Sequence, residues 1–204
     1  SGTEFYHGPG RGCGNGIGAL LAGFTLTNKR QYIDKVEELI RRCINPYDDL
    51  EARELTDVDE RWFYVVMLRS ICDYLQIKIE LDELDDRYAY AERALLHYAQ
   101  WIADNEYPYL DKPEILEFAT ETWIGQDLRK SDVLYMAALH VEGQQRRQWQ
   151  ERAEFFYRNS AETMRAQATR HWCRPMVSMM VNGWVAPWMR ANADYRTPRL
   201  EGEF

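Results

Sequence analysis

The segment GIGALLAGFTLTNKRQYIDKVEELIRRC, residues 16–43, contains two kinds of helix in succession. Small and apolar residues surround most of its first half, which is typical of a helix enclosed on several sides. The second half carries charges on one face, and on the other an apolar stripe of Tyr32, Val36, Leu39 and Ile40. The segment therefore predicts a helical hairpin with one inner and one outer helix.

An internal repeat extends this hairpin along the chain. The pattern aromatic, any residue, acid, base, apolar occurs as YIDKV from residue 32, YAERA from 90 and WQERA from 149, at separations of 58 and 59 residues. Near-equal intervals indicate a repeated structural unit, so we predict an all-α array of about three and a half antiparallel hairpins with inner and outer layers. Apolar periodicity predicts helices at residues 16–26, 29–43, 58–78, 86–104, 120–140, 147–167 and 171–192, in one domain of residues 1–195 with an irregular tail of 196–204.

Two long connections are expected to lie together at one end of this array. Residues 44–57 and 105–118 each link an outer helix to the next inner helix, and both contain proline, aromatic and acidic residues. If the inner helices run parallel, their N-termini lie at the same end, where free N–H groups and helix dipoles attract anions. Long loops on a rigid scaffold commonly carry binding sites.

Composition limits the classes of partner. The chain has 204 residues, 46% of them hydrophobic, with a net charge of -8 and a pI near 5.1. These values disfavour a general nucleic-acid or anionic-membrane surface, and no apolar run is long enough to predict a membrane span. Neither the four cysteines nor the four histidines are clustered, so we predict no metal site and no cofactor. Unclustered cysteines favour a reducing compartment, hence the cytoplasm, although a chain beginning at Ser1 leaves open a removed leader.

The stretch HGPGRGCGNGIG, residues 7–18, has glycine at every even position. Phosphate-binding loops need glycines three or five residues apart, so this spacing excludes both common nucleotide motifs. Each glycine costs a helix about 1 kcal/mol relative to alanine, which predicts a loop here. Two roles stay open: the glycines let a ligand approach the backbone, or they let the first helix pack closely on its neighbours. We favour the first.

In its alternation of small-residue inner helices and aromatic-anchored outer helices, the 16–43 hairpin resembles the α/α-toroid proteins, a group that includes six-hairpin glycosidases and heparinase-like polysaccharide lyases. The resemblance implies a carbohydrate-active protein that binds a poly- or oligosaccharide, and it leaves open whether the protein also cleaves this ligand. A closed toroid usually has six hairpins. The chain would then be a fragment, an open arc, or one part of an assembly completed by other domains.

Tryptophans at the starts of inner helices are the first candidate site. Arg61 precedes Trp62, Glu121 stands two residues before Trp123, and the last helix opens with His171 and Trp172. Indole rings offer sugars a flat apolar surface, although a tryptophan at a helix start also seals a core. Trp184 joins this set because Pro187 is expected to kink or end the last helix.

The run ETWIGQDLRKSD, residues 121–132, is the second candidate. Trp123, Asp127 and Lys130 fall on one helical face, and Glu121 with Asp127 could serve as a glycosidase acid and base. The alternative is a solvated, salt-bridged first turn and a half.

The glycine-rich stretch supplies the third candidate, with Tyr6, His7, Arg11 and Asn15 close in sequence. The resemblance implies that a lyase would use Tyr or His as base and Arg or Asn to neutralise a substrate carboxylate. The predicted catalytic residues are therefore His7, Arg61, Tyr64, Glu121, Asp127 and His171. The predicted substrate-binding residues are Arg11, Asn15, Trp62, Trp123, Lys130, Trp172 and Trp184. Lyase and hydrolase chemistry both stay open, and the alternative function is a non-catalytic helical-repeat module that binds a protein partner.

Overall fold

The computed structural model describes residues 8–168 and 173–198, and these residues form helices and turns without a strand. The prediction of an all-helical chain is confirmed. The helices are α1 Arg11–Thr27, α2 Gln31–Cys43, α3 Val58–Arg61, α4 Tyr64–Glu80, α5 Asp86–Asn105, α6 Thr122–Ala137, α7 Gly143–Ala166, α8 Cys173–Asn182 and α9 Val185–Ala191. Short 3₁₀ turns lie at Tyr109–Asp111, Pro113–Ile115 and Ala138–His140.

Four helices form a row at the centre of the fold. α1 packs against α4, α4 against α6, and α6 against α8, while α2, α5 and α7 each pack on the central helix that precedes them. Gly14 lies beside Met67 and Gly18 beside Ser70, so α1 and α4 run in the same direction. The starts of α1, α4, α6 and α8 consequently face one end of the molecule.

From Arg11 onwards the glycine-rich stretch is helix, which corrects the predicted loop for the residues before 16. α1 begins at Arg11, so four of the alternating glycines lie inside it. A Cβ on Gly14 would lie 2.8 Å from both N and Cα of Met67, and the Ser70 hydroxyl donates to the Gly14 carbonyl at 2.9 Å. The close approach of α1 and α4 offsets the low helix propensity of glycine. Packing is therefore the role that the structure gives Gly14.

The last predicted helix, 171–192, is two helices in the described part of the chain. α8 ends at Asn182 and α9 begins at Val185, so the break lies at Gly183 and Trp184 and not at the proline. Pro187 is the third residue of α9, in the first turn, where a missing N–H breaks no helical hydrogen bond.

A buried lysine joins the first two hairpins. Lys78 is fully buried, and its Nζ lies 2.7 Å from carboxylate oxygens of Glu83 and Asp85 and 3.4 Å from Glu37 on α2. Asp85 also begins α5 by accepting hydrogen bonds from the backbone N–H groups of Arg87 and Tyr88. This cluster fixes the α4–α5 turn against α2.

Apolar and aromatic side chains fill the space between the layers. The largest fully buried side chains include Tyr74, Tyr98, Trp149 and Phe156. Three of the four cysteines are buried and Cys173 is exposed, all as free thiols. α6 is buried over most of its surface, so it is the central element against which the ends of the other helices are positioned.

Candidate functional site

A concave pocket of about 300 Å³ lies where the starts of the four central helices meet. We call it the arginine pocket. α1 and α6 contribute polar side chains, and Trp62, which lies just before α4, contributes an indole. α8 closes the side opposite α1. Its lining residues are Arg11, Asn15, Trp62, Val66, Thr122, Gln126, Arg129, Arg174, Val177 and Ser178.

Three arginines give this pocket its positive charge. Within residues 8–168 and 173–198, no salt bridge involves Arg11, Arg129 or Arg174. Burial lowers the pKa of Arg129, the nearby Asp132 carboxyl group raises it, and the positive charge of Arg174 lowers it again. In a chain with a net charge of -8, three neighbouring arginines without a salt bridge in the described ranges indicate a site for an anion.

The backbone adds to this positive potential. α1, α4, α6 and α8 carry no acidic residue in the first turn. No side chain caps the start of α1, α4 or α6. The positive ends of the helix dipoles therefore point towards the end of the molecule that holds the pocket, without a side-chain carboxylate to neutralise them in these first turns.

Gln126 supplies a buried amide to the pocket. Its side chain is only 2% exposed, and its Oε1 accepts a hydrogen bond of 2.5 Å from Arg129. In the described structure the Nε2 group of Gln126 makes no hydrogen bond and remains available as a donor. Asn15 and Thr122 offer further hydrogen-bonding groups at the rim.

A buried carboxyl group lies on α6 one turn beyond the pocket. Asp132 is 1% exposed, its Oδ2 has no hydrogen-bond partner, and burial raises its pKa well above the usual value. Arg129 and Arg69 lower that pKa, but burial has the larger effect. Asp132 and Arg129 therefore attract one another electrostatically, although no salt bridge joins them within the described residues.

One aromatic ring is accessible from the pocket, and two others support it. Trp62 is half-buried and meets the edge of Trp123 at 6.2 Å between ring centroids, and Trp123 meets Tyr109 at 5.4 Å. Trp123 itself is 8% exposed, and its indole N–H donates to the Phe118 carbonyl at 2.8 Å. Packing therefore holds Trp62 in place. Trp123, which was predicted to contact a ligand, instead supports the ring of Trp62.

Asp127 and Lys130 lie below this aromatic layer. The Lys130 Nζ is 2.9 Å from Asp127 Oδ1 and 2.9 Å from Glu106 Oε2, and it lies 3.1 Å from the centre of the Tyr109 ring. All four residues are buried. Burial raises the pKa of Asp127 to about 6, although the charge of Lys130 opposes this. The two predicted site residues do share a helical face, but they form an internal ion pair and neither a surface site nor a solvated turn.

Tyr64 belongs to the same buried cluster. It is fully buried, and its hydroxyl donates to Glu106 at 2.7 Å. Burial raises the pKa of Tyr64 well above the usual value. In this arrangement Tyr64 anchors the 105–118 connection and has no access to a ligand in the arginine pocket.

The other predicted site residues are dispersed. Arg61 is exposed, 3.7 Å from Glu54, and lines a separate cavity beside Gly10. Glu121 is half-buried just before α6, and Trp184 lies in a different cavity with Trp188. His7, His171 and Trp172, like Tyr6, lie outside the described residues.

The structure thus brings together three of the predicted residues, Arg11, Asn15 and Trp62, and adds three that sequence reasoning missed. Gln126 and Arg129 stand inside the 121–132 run, one helical turn apart on a face that adjoins the face of Asp127 and Lys130. Arg174 stands in the first turn of an otherwise apolar helix. A charged residue at the start of an apolar inner helix is the signal that could have identified it.

Comparison with known proteins found no matching family model, no similar curated protein and no similar solved structure. Among the helices described here, none combines the length and apolar character needed to cross a bilayer. Histidine, cysteine and carboxylate side chains of the described ranges form no group of three or more that could hold a metal ion.

Proposed function

We propose that the arginine pocket binds an acidic saccharide, a short segment of a poly- or oligosaccharide that carries carboxylate or sulfate groups. The observation that carries this proposal is the presence around the half-buried Trp62 of three arginines, Arg11, Arg129 and Arg174, that form no salt bridge within the described residues. A guanidinium group donates two parallel hydrogen bonds to a carboxylate or sulfate, and an indole face packs on the apolar face of a sugar ring.

The remaining lining groups suit the hydroxyl groups of a sugar. Asn15 and Gln126 provide amide donors and acceptors, and Thr122 provides a hydroxyl. Binding sites for small ligands commonly have volumes of about 300–1,000 Å³. The arginine pocket, at about 300 Å³, would accommodate a short part of a chain and leave the rest outside.

We further propose that the hairpins form an open arc related to the α/α toroid, with the ligand at the N-terminal mouth of the inner helices. The parallel course of α1 and α4 and the meeting of the four helix starts at one pocket support this arrangement. In such an arc the close contact of Gly14 with α4 brings the starts of α1 and α4 together, so that Arg11 and Trp62 face the same pocket.

Binding is the part of the function that the geometry supports. The described lining supplies cations, amides and two hydroxyl groups, whereas cleavage also requires a general base. His7 and His171 remain the predicted candidates for that role in a lyase or hydrolase reaction. Asp127 and Tyr64 are buried beneath Trp123 and Tyr109 and are not part of the proposal.

The proposal is tested by calorimetric titration of the protein with oligogalacturonate, compared with a neutral cello-oligosaccharide of the same length. We expect binding of the acidic chain alone, weakening as salt is raised. The double variant Arg129→Gln, Arg174→Gln should bind at least about tenfold more weakly, because each guanidinium donates charged hydrogen bonds.

Arg93→Gln is the matched control, since Arg93 is an exposed arginine on α5, away from the pocket. Equal binding of neutral and acidic chains, or equal losses in the pocket and control variants, would contradict the proposal. Absorbance near the unsaturated-uronate band during the titration would identify eliminative cleavage, and new reducing ends without that absorbance would identify hydrolysis.

A second candidate function is a non-catalytic helical-repeat module that binds a protein partner. The observation that favours it is the apolar face of α8, on which Met176, Val177, Met180 and Val181 are 44–79% exposed. Failure of every glycan to bind, together with protection of α8 from hydrogen exchange by a protein ligand, would favour this candidate.

A further inference from the structure

A second concave site lies at the opposite end of the central helices. It has a volume of about 350 Å³ and is lined by residues 69–80 of α4, by the end of α6 with the 3₁₀ turn that follows it, and by the chain after α8. We call it the aromatic pocket. Three rings, Trp184, Trp188 and Tyr195, form its wall, with Met136 and Leu139 as further apolar lining.

The rings are accessible and held in place. Trp184 is 49% and Tyr195 38% exposed, while the half-buried Trp188 packs on the core and meets Tyr195 at 5.2 Å with an interplanar angle of 76°. The Tyr195 carbonyl accepts a hydrogen bond of 3.0 Å from Arg146. The neighbouring Thr197 hydroxyl donates to the Leu139 carbonyl at 3.0 Å. The irregular segment that carries Tyr195 is therefore tied to the body of the protein.

The charge of this pocket is the reverse of that in the arginine pocket. Asp73 and Glu80 on α4 line it, and among the described residues Arg69 is its one cation, which already forms an ion pair with Asp73. Glu80 accepts a hydrogen bond from Gln76 at 3.1 Å and forms no salt bridge within the described ranges. The C-terminal ends of α4 and α6, which carry the negative ends of their helix dipoles, lie at the same site.

We propose that the aromatic pocket binds an organic cation, an alkylated ammonium group with an apolar surface. The faces of indole and phenol rings attract cations, and quaternary ammonium groups bind in cages built from such rings. Glu80 supplies the compensating negative charge. Met136 and Leu139 provide apolar contacts for the alkyl substituents. An inorganic cation or a protonated primary amine has no such substituents and would leave these two side chains without a contact.

The charges that line the aromatic pocket favour an organic cation over two alternative ligands, an anion and a neutral apolar molecule. An anion would meet the carboxylates of Asp73 and Glu80 with no free guanidinium group, because Arg69 is paired. A neutral apolar molecule of the same shape would fit the volume but would gain nothing from Glu80 or from the charge attraction of the rings. Charge is therefore the property that the experiment varies.

The test titrates the full chain with choline and, separately, with its uncharged isostere 3,3-dimethyl-1-butanol, and follows the indole signals by NMR. We expect choline to shift the signals of Trp184 and Trp188, and the isostere to bind at least about fivefold more weakly. Absence of any shift with choline would overturn the proposal. Equal affinities for the two compounds would also overturn it, since the site would then be a neutral apolar cavity.

Two variants locate the site and a third serves as control. Trp184→Ala and Glu80→Gln should each weaken choline binding about threefold or more, and Glu80→Gln retains the volume of the side chain. Tyr47→Ala removes a ring that is 86% exposed on the 44–57 connection and should change nothing. An unchanged affinity in both pocket variants, with folding verified by circular dichroism, would place the binding elsewhere and refute the assignment. Because the aromatic pocket shares no residue with the arginine pocket, this result is independent of saccharide binding.

Discussion

Gly14 of α1 lies against the backbone of Met67 of α4, so closely that a Cβ at position 14 would be 2.8 Å from the Met67 N and Cα atoms. This contact sets the distance between the first two central helices. Because the atoms in the way belong to a helix backbone and not to the end of a flexible side chain, they cannot move without shifting α4.

The first prediction concerns this contact. Gly14→Ala should lower the free energy of unfolding by roughly 1–3 kcal/mol, the usual cost of overpacking a core, despite the higher helix propensity of alanine. Gly12→Ala is the control, because a Cβ there meets nothing within 4 Å and should stabilise α1 by up to about 1 kcal/mol. Urea denaturation of both variants measures the difference. Stabilisation by both substitutions would show that the helices are not in this close contact.

The same contact explains why the prediction of a loop for the glycine-rich stretch is wrong. Helix propensity is a local property, and four glycines in eight residues outweigh every local signal for helix. The gain that reverses this preference comes from α4, about fifty residues away in sequence. The hairpins were predictable because the apolar stripe of an outer helix, as at Val36 and Ile40, is a repeated local pattern.

The second prediction concerns the buried Lys78. Lys78→Met should destabilise the protein by about 2–4 kcal/mol, because Glu83 and Asp85 lose their buried partner. The matched control is Lys35→Met, which removes an ion pair with Glu38 in which the two side chains are 50% and 38% exposed. That loss should be less than about 1 kcal/mol. Similar urea midpoints for the two variants would contradict the structural role of Lys78.

The third prediction concerns the pH dependence that Asp127 contributes. Burial raises the pKa of Asp127 from 3.8 to about 6, so the folded protein holds this proton more tightly than the unfolded chain does. The contribution of Asp127 to stability is therefore fully present below about pH 4 and is lost as the pH rises through about 6. The change over that interval is up to about 3 kcal/mol.

Asp127→Asn should remove this slope, while the slope contributed by the buried Asp132 remains. Urea unfolding of wild type and variant between pH 4 and 7 measures it, and the advantage of the wild type over the variant should shrink as the pH rises. Parallel pH profiles would mean that Asp127 is charged throughout and that its pairing with Lys130 outweighs burial.

The candidate site was only partly predictable for a related reason. Helical spacing places Trp123, Asp127 and Lys130 on one face, and that inference is correct. Spacing does not reveal that the 105–118 connection covers this face with Tyr109. Arg129, two residues from Asp127, points to the open side instead. Which face of an enclosed helix stays open depends on the loops packed over it, and this information is absent from the helix itself.

The fourth prediction tests the stacking role of Trp62. Trp62→Ala should weaken binding of the acidic oligosaccharide about 3- to 10-fold, because an aromatic contact contributes about 0.5–1.5 kcal/mol beyond area burial. The change should be nearly independent of salt, unlike the loss caused by the arginine variants, since it removes no charge. Calorimetric titrations at two salt concentrations separate the effects. Trp101→Phe, on α5 and away from the pocket, is the control and should bind as the wild type does. If Trp62→Ala binds as tightly as this control, the indole is only a core seal and the three arginines hold the anion without help from the ring.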